Sequence, residues 1–121
     1  MQNAAQAYSS VARKTGSPRE LEADLLLDAA ARLQAVRDAW DSKRPELDAA
    51  LVNNRRLWSI FVMSATSAEN PLPVAVRQNI ANLGLFVFQQ TMTVQIDPKP
   101  DNLVSLININ RELAAGLRTQ S

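Results

Sequence analysis

Charged side chains are almost absent from one continuous third of this 121-residue chain. The forty residues from Leu57 to Ile96 contain only Glu69 and Arg77 as charged residues, although charged residues make up 21% of the whole sequence. A membrane-spanning helix needs about 20 continuous apolar residues, and serines, asparagines and two prolines interrupt this stretch well before that length. We therefore expect the segment to be either part of a buried core or a surface that another protein covers.

The composition leaves few side chains for catalysis or metal binding. The sequence has no cysteine and no histidine, which excludes thiolate and imidazole metal ligands, Cys or His nucleophiles with their bases, and disulfides. The net charge is +1 without a long run of either sign, so no basic surface for nucleic acid stands out. The first ten residues lack the positive start and apolar run of a secretory signal. We expect a cytoplasmic protein that is not an enzyme and has no catalytic residues, metal or cofactor.

Proline, glycine and capping residues divide the sequence into segments whose apolar residues recur with the helical period. This pattern predicts one all-α domain over residues 1–121, a single compact bundle of about five helices. The predicted helices lie near residues 3–15, 18–41, 45–67, 74–96 and 101–118. The first is short, and we expect it to dock on the rest of the domain. Polar and apolar residues alternate over 91–96, which leaves a short strand as an alternative there, although a lone strand in a helical domain would lack a partner.

The clearest local signal is the start of the second helix. Ser17 is predicted to be its N-cap, Pro18 its first residue and Glu20 the second half of a capping box. Further along this helix, Asp28 and Arg32 are spaced for a surface ion pair. The acidic residues of the first turns lie where the helix dipole favours negative charge, so they indicate a solvated face rather than a metal site.

Two asparagines, Asn54 and Asn110, interrupt apolar helix faces. A buried amide without a partner costs about 1 to 3 kcal/mol, so we expect these side chains either to pair across helices or to cap a turn. A structural role that fixes helix register is favoured over ligand binding. Trp58 follows the same apolar face as its neighbours on the third helix and is expected in the core. Arg55 and Arg56, one turn or less before it, are better candidates for contact with a partner.

The predicted fourth helix carries two apolar stripes on nearly opposite sides, with uncharged amides and threonines between them. The first stripe comprises Val76, Ile80, Leu83, Val87 and Val94, and the second comprises Ala81, Leu85, Phe88 and Met92. Two interpretations stay open. Either neighbouring helices bury both stripes, or one stripe lies in the core and the other binds a partner's amphipathic helix.

Short motifs spread over nearly the whole chain occur in a specific order and spacing. They are Ala7-Tyr8, residues 17–23, residues 54–58 with Phe61, residues 70–73, residues 77–80, residues 83–88, and residues 109–111 with Gly116-Leu117. Taken together, they resemble the FlaF family of flagellar biosynthesis regulators.

Membership of this family would imply a small cytoplasmic helical protein that is required for flagellin synthesis and export and acts beside a second regulator, FlbT. The implied activity is flagellin binding in the manner of an export chaperone, with consequences for flagellin translation and without enzymatic activity or a cofactor. An adaptor that binds FlbT, or acts on flagellin mRNA indirectly, to control translation without chaperoning is the alternative. A direct RNA-binding regulator would need a basic surface and a steep salt dependence, and the near-neutral charge disfavours it.

The resemblance and the apolar stripes suggest one physical picture. Flagellin's terminal segments are amphipathic and would self-associate if released unprotected, so a helical partner with a large uncharged surface could cover them. The candidate partner-binding residues are Arg55, Arg56, Arg77, Asn82, Leu85, Phe88, Gln89 and Met92. We expect flagellin and FlbT as partners, with no direct nucleic-acid binding and no membrane binding. Self-association through the uncharged stretch stays open.

Overall fold

The computed structural model describes residues 18–119. Its α-helices are α1 (Pro18–Asp38), α2 (Trp40–Lys43), α3 (Leu47–Ala65), α4 (Val74–Ile96) and α5 (Val104–Thr119), with 3-10 turns at Arg44–Glu46 and Pro100–Leu103. This range contains no strand, so the predicted all-α class is confirmed, and residues 91–96 complete α4. The predicted helix near 3–15 and the predicted N-cap Ser17 lie outside the described residues.

The ends of the helices differ from the predicted ones where the backbone changes local geometry. The predicted helix 18–41 is interrupted at Ala39, whose φ of −123° and ψ of 49° separate α1 from the short α2. The helices predicted to begin at 45 and 101 each begin instead with a 3-10 turn that contains a proline, Pro45 or Pro100. Proline has no backbone N–H and a fixed φ, so it fits the first turn of such a segment but adds no helical hydrogen bond.

The long helices pack as antiparallel neighbours. α1 packs against α5 and α3, and α3 packs against α4. An ion pair joins Asp24 near the start of α1 to Arg118 near the end of α5. Between α3 and α4, Nε of Arg77 near the start of α4 donates a hydrogen bond to the carbonyl oxygen of Ala65, the last residue of α3, at 2.8 Å. In contrast, α4 and α5 touch each other only sparingly, so the seam between them stays open.

The core lies between these helices and is mainly aliphatic. Its fully buried large apolar residues are Leu26, Leu33, Leu51, Trp58, Val87, Val94, Leu103 and Leu106. Trp58 stacks edge to face on Phe61, with ring centroids 6.0 Å apart and an interplanar angle of 80°. The prediction that Trp58 is a core residue is confirmed. The predicted surface pair is also present, because Nε of Arg32 lies 3.3 Å from Oδ2 of Asp28.

A buried hydrogen-bond network joins α1, α3 and α5 inside this core. Nδ2 of Asn110 donates to Oδ1 of Asn54 at 2.7 Å and to the carbonyl oxygen of Leu26 at 3.3 Å. Oδ1 of Asn110 accepts a hydrogen bond from Nε1 of Trp58 at 2.9 Å. The predicted pairing of the two asparagines across helices is thus confirmed, with the indole of Trp58 as a third member. Sliding any of these helices by one residue would break the network, so the network fixes their register.

Replacing Asn110 by Ala is expected to destabilise the protein by about 2 to 3 kcal/mol, because the Trp58 N–H and the Asn54 Oδ1 would both lose their buried partner. Urea unfolding followed by circular dichroism measures this loss. Asn108→Ala, an exposed change on the same helix, is the matched control and should stay within about 0.5 kcal/mol of wild type. Equal effects of the two changes would contradict the loss of buried hydrogen-bond partners in the Asn110 variant.

Gly84 sets the separation of α3 and α4. It is buried on α4, and a Cβ atom at this position would overlap Cγ2 of Val62 on α3 and lie 3.7 Å from Cε3 of Trp58. With Val62 in place, only a residue without a side chain fits at this position. Helix α4 is therefore held firmly against α3, with one side in the core.

Gly84→Ala is expected to cost about 1 to 3 kcal/mol through overpacking, despite alanine's better helix propensity. Combining it with Val62→Ala removes the methyl group that obstructs the new Cβ. The double variant should therefore be more stable, by about 1 kcal/mol, than the sum of the two single losses predicts. Thermal and urea unfolding of the four proteins measure this coupling, and strictly additive losses would show that the clash with Val62 is not the cause.

Candidate functional site

The described residues carry no group of side chains typical of a metal site. Among residues 18–119, no cluster of three or more Asp or Glu side chains is arranged to hold a metal ion. Over the same range, none of the helices combines the length and the apolar character that crossing a bilayer requires. The feature that stands out on this part of the chain is the surface of α4.

One apolar stripe of α4 is exposed along the whole helix. The exposed fractions are 72% for Val74, 63% for Leu85, 57% for Met92 and 84% for Ile96. At 3.6 residues per turn, the spacing of these four side chains places them within about 40° of each other around the helix axis. Together with Ala81, which is half-buried on the same side, we call them the α4 stripe.

The opposite side of α4 faces the core. Its buried residues are Ile80, Gly84, Val87, Thr91 and Val94. Val76 and Leu83, the other members of the first predicted stripe, are partly buried and pack against the core. The first predicted stripe is therefore the core side of α4, whereas Leu85 and Met92 of the second are exposed.

The candidate residues of the second predicted stripe do not all lie on the free surface. Leu85 and Met92 are exposed, and Asn82 and Gln89 are exposed on the flank of the α4 stripe. Phe88 differs, because it is half-buried and packs against the core. A charge at Phe88 would therefore disturb packing as well as any partner contact, which makes Leu85 and Met92 the better positions for testing the surface.

The three candidate arginines have different environments. Arg55 and Arg56 are exposed side by side on α3. Arg77 is half-buried, and its side chain donates a hydrogen bond to the carbonyl oxygen of Ala65. This carbonyl group at the C-terminal end of α3 has no hydrogen-bond partner within the helix. Arg77 therefore stabilises the connection between α3 and α4, a structural contact that the spacing of residues in the sequence does not show.

Two residues of the α4 stripe, Val74 and Ile96, are absent from the stripe that the sequence predicts. They lie at the two ends of α4, where fewer neighbours on the helix complete the pattern. Ala81, Leu85 and Met92 are separated by four and then seven residues. Val74 lies seven residues before Ala81 and Ile96 lies four residues after Met92, so the same alternating spacing would have identified both. Met63 on α3 and Phe86 on α4 are further exposed apolar residues in the same uncharged stretch.

The far end of the α4 stripe is held by the connection to α5. Nε2 of Gln90 donates a hydrogen bond to the carbonyl oxygen of Asn102 at 2.9 Å, and Nδ2 of Asn102 donates to the carbonyl oxygen of Asp97 at 3.0 Å. Amides thus tie the turn that follows Ile96 back to α4. A partner would meet a preformed apolar surface at this end rather than one that must order on binding.

The α4 stripe is suited to apolar contact rather than to chemistry. The 23 residues of α4 contain a single charged side chain, Arg77, which is engaged with α3. Large exposed apolar patches on small domains usually mark interaction sites. A helix with one apolar face could pack along the stripe without leaving a buried charge unpaired.

Comparison with known proteins identifies the family of this chain. A family model described as flagellar protein FlaF matches residues 4–117. A search of curated proteins and a search of solved structures each gave no match. The family match includes α1 to α4, nearly all of α5 and the segment from residue 4 that precedes them. Because the match covers all but the first three and last four residues, this chain belongs to the FlaF family of flagellar proteins.

Proposed function

We propose that this FlaF-family protein binds flagellin in the cytoplasm as an export chaperone and, together with FlbT, supports flagellin synthesis and secretion. Family membership supplies the flagellar context. The single observation that favours binding of an amphipathic partner is the α4 stripe, which no other helix of the described chain covers. Flagellin's amphipathic terminal segments would pack on this stripe and be kept from associating with each other.

The dimensions of the stripe fit a helical partner. From Val74 to Ile96 the stripe extends over about 33 Å, at 1.5 Å per residue. A partner helix of similar length, with apolar residues recurring every three or four positions, would contact it along its whole length. Asn82 and Gln89 on the flank can donate and accept hydrogen bonds, so they would adapt to different polar groups at the edge of the contact.

The double variant Leu85→Glu/Met92→Glu is expected to weaken flagellin binding at least about tenfold, equivalent to about 1.4 kcal/mol, because two carboxylates would have to lose water in an apolar contact. Calorimetric titration with monomeric flagellin measures the affinity. Both side chains are exposed, so the circular dichroism spectrum and the thermal midpoint should stay close to those of wild type.

The matched control is Asn108→Glu/Ala115→Glu on α5. It places the same two charges at the same spacing of seven residues on exposed positions of a different helix. Flagellin affinity of the control should equal that of wild type. Equal weakening in both double variants would point to a general charge effect, and unchanged binding in both would remove the α4 stripe from the proposal.

The thermodynamic signature of binding gives a separate prediction. Burial of the α4 stripe should produce a negative heat-capacity change, and the affinity should vary little with salt concentration because charged contacts contribute little. Titrations at several temperatures and at two salt concentrations measure both quantities, with FlbT as a parallel titrant. Tight binding of FlbT without any binding of flagellin would instead favour the adaptor that controls translation without chaperoning.

A further inference from the structure

A second apolar surface lies on a different side of α4. A groove of about 440 Å³ opens between the first half of α4 and the last turns of α5. It is lined on the α4 side by Val76 and Leu83 and on the α5 side by Glu112, Leu113, Gly116 and Leu117. The two helices contact each other only sparingly, and the groove is the gap that this leaves between them.

Gly116 has no structural explanation within the described residues. A glycine inside a helix costs about 0.5 to 1 kcal/mol relative to alanine. At Gly84 the close packing of Val62 requires a residue without a side chain, whereas a Cβ atom on Gly116 would meet nothing within 4 Å. The missing side chain of Gly116 therefore widens the groove and allows a close approach by an element outside residues 18–119.

We propose that this element is the chain's own segment 4–15, bound in the α4–α5 groove. The segment joins the described chain at Pro18, at the same end of the bundle as the groove. Glu22, one turn after Pro18, lines a small cavity with Leu113 and Leu117, and both leucines also line the groove. The short link through Gly16 and Ser17 can span about 10 Å, roughly the distance between neighbouring helix axes.

The segment is long enough to fill the groove, and its sequence is suited to close contact. A helix over residues 4–15 would be about 18 Å long, and the α4 side of the groove, from residue 75 to residue 83, extends about 12 Å. The sequence places Ala4, Tyr8, Val11 and Ala12 on one side of such a helix. Alanines on this side would permit the close approach that Gly116 allows.

Charge and family membership add two independent arguments. No charged residue occurs from residue 4 to residue 12, and the basic residues Arg13 and Lys14 follow at the end nearest Pro18. The part of the segment that would lie along the apolar lining therefore carries no charge. The family match begins at residue 4, so the segment belongs to the same family unit as the helices around the groove.

Docking of the segment would leave the α4 stripe free. Around the axis of α4, the groove residues lie about 150° from the α4 stripe. The inference therefore does not depend on flagellin binding, and either proposal can fail without the other.

Cysteine crosslinking of the full chain tests the proposal without background, because the native sequence has no cysteine. We would place one cysteine in the segment, Ala7→Cys, and a second at Asn79→Cys on the groove lining, and treat the dilute protein with a short bismaleimide. The control pairs Ala7→Cys with Ser42→Cys, an exposed site on α2 after the far end of α1. We expect intramolecular crosslinking of the groove pair to be at least about tenfold faster than that of the control.

Filling the groove gives the decisive comparison. Gly116→Leu, added to the groove pair, should reduce its crosslinking to the control rate and should speed tryptic cleavage after Arg13 and Lys14. Ala115→Leu, the adjacent exposed change, should alter neither rate. Equal rates for the two cysteine pairs, crosslinks only between separate chains, or a groove-pair crosslink that Gly116→Leu leaves unchanged would each overturn the proposal. Crosslinks between chains would identify a second copy as the occupant.

Discussion

The hydrogen-bond network of Asn54, Asn110 and Trp58 determines how the helices of this protein fit together. The three side chains are fully buried, so each polar atom must find its partner inside the core. Oδ1 and Nδ2 of Asn110 both form hydrogen bonds, whereas Nδ2 of Asn54 has no hydrogen-bond partner within residues 18–119. A buried N–H without a partner lowers stability. The network therefore contributes more to the uniqueness of the packing than to its free energy, as polar residues at helix interfaces often do.

The position of α4 follows from that register. Trp58, which the network holds in place, lies beside Gly84, and Gly84 allows α3 and α4 to approach closely. With this side of α4 fixed in the core, the α4 stripe must face outward. A helix that exposes a continuous apolar stripe is an unusual arrangement for a small domain, since exposed apolar side chains promote association. The cost in solubility is a physical reason to expect an interaction at this surface.

Periodicity and local chemistry predict the helical class, the core position of Trp58 and the pairing of the asparagines, because these depend on which face of a helix is apolar. What the sequence does not predict depends on neighbours distant along the chain. Phe88 lies at the edge between the α4 stripe and the core, and only the packing of the bundle decides that it is half-buried. Arg77 appears in the sequence as a lone charge in an apolar stretch, whereas its hydrogen bond to Ala65 requires the α3–α4 hairpin. The break between α1 and α2 at Ala39 is likewise not predictable from the sequence, because no proline or glycine lies beside Ala39.

The two apolar surfaces of α4 differ in the kind of occupant they favour. The groove beside α5 is short and concave, has a carboxylate in its lining, and opens at the end of the bundle where the chain enters α1. A segment of the same chain binds such a site at high effective concentration, so even weak contacts suffice. The α4 stripe is long, convex and without charge, and its far end is held by the amide contacts that follow Ile96. A convex surface of this kind gains binding free energy only when a partner covers much of its length, which favours an extended helix of another protein over a short segment of this chain.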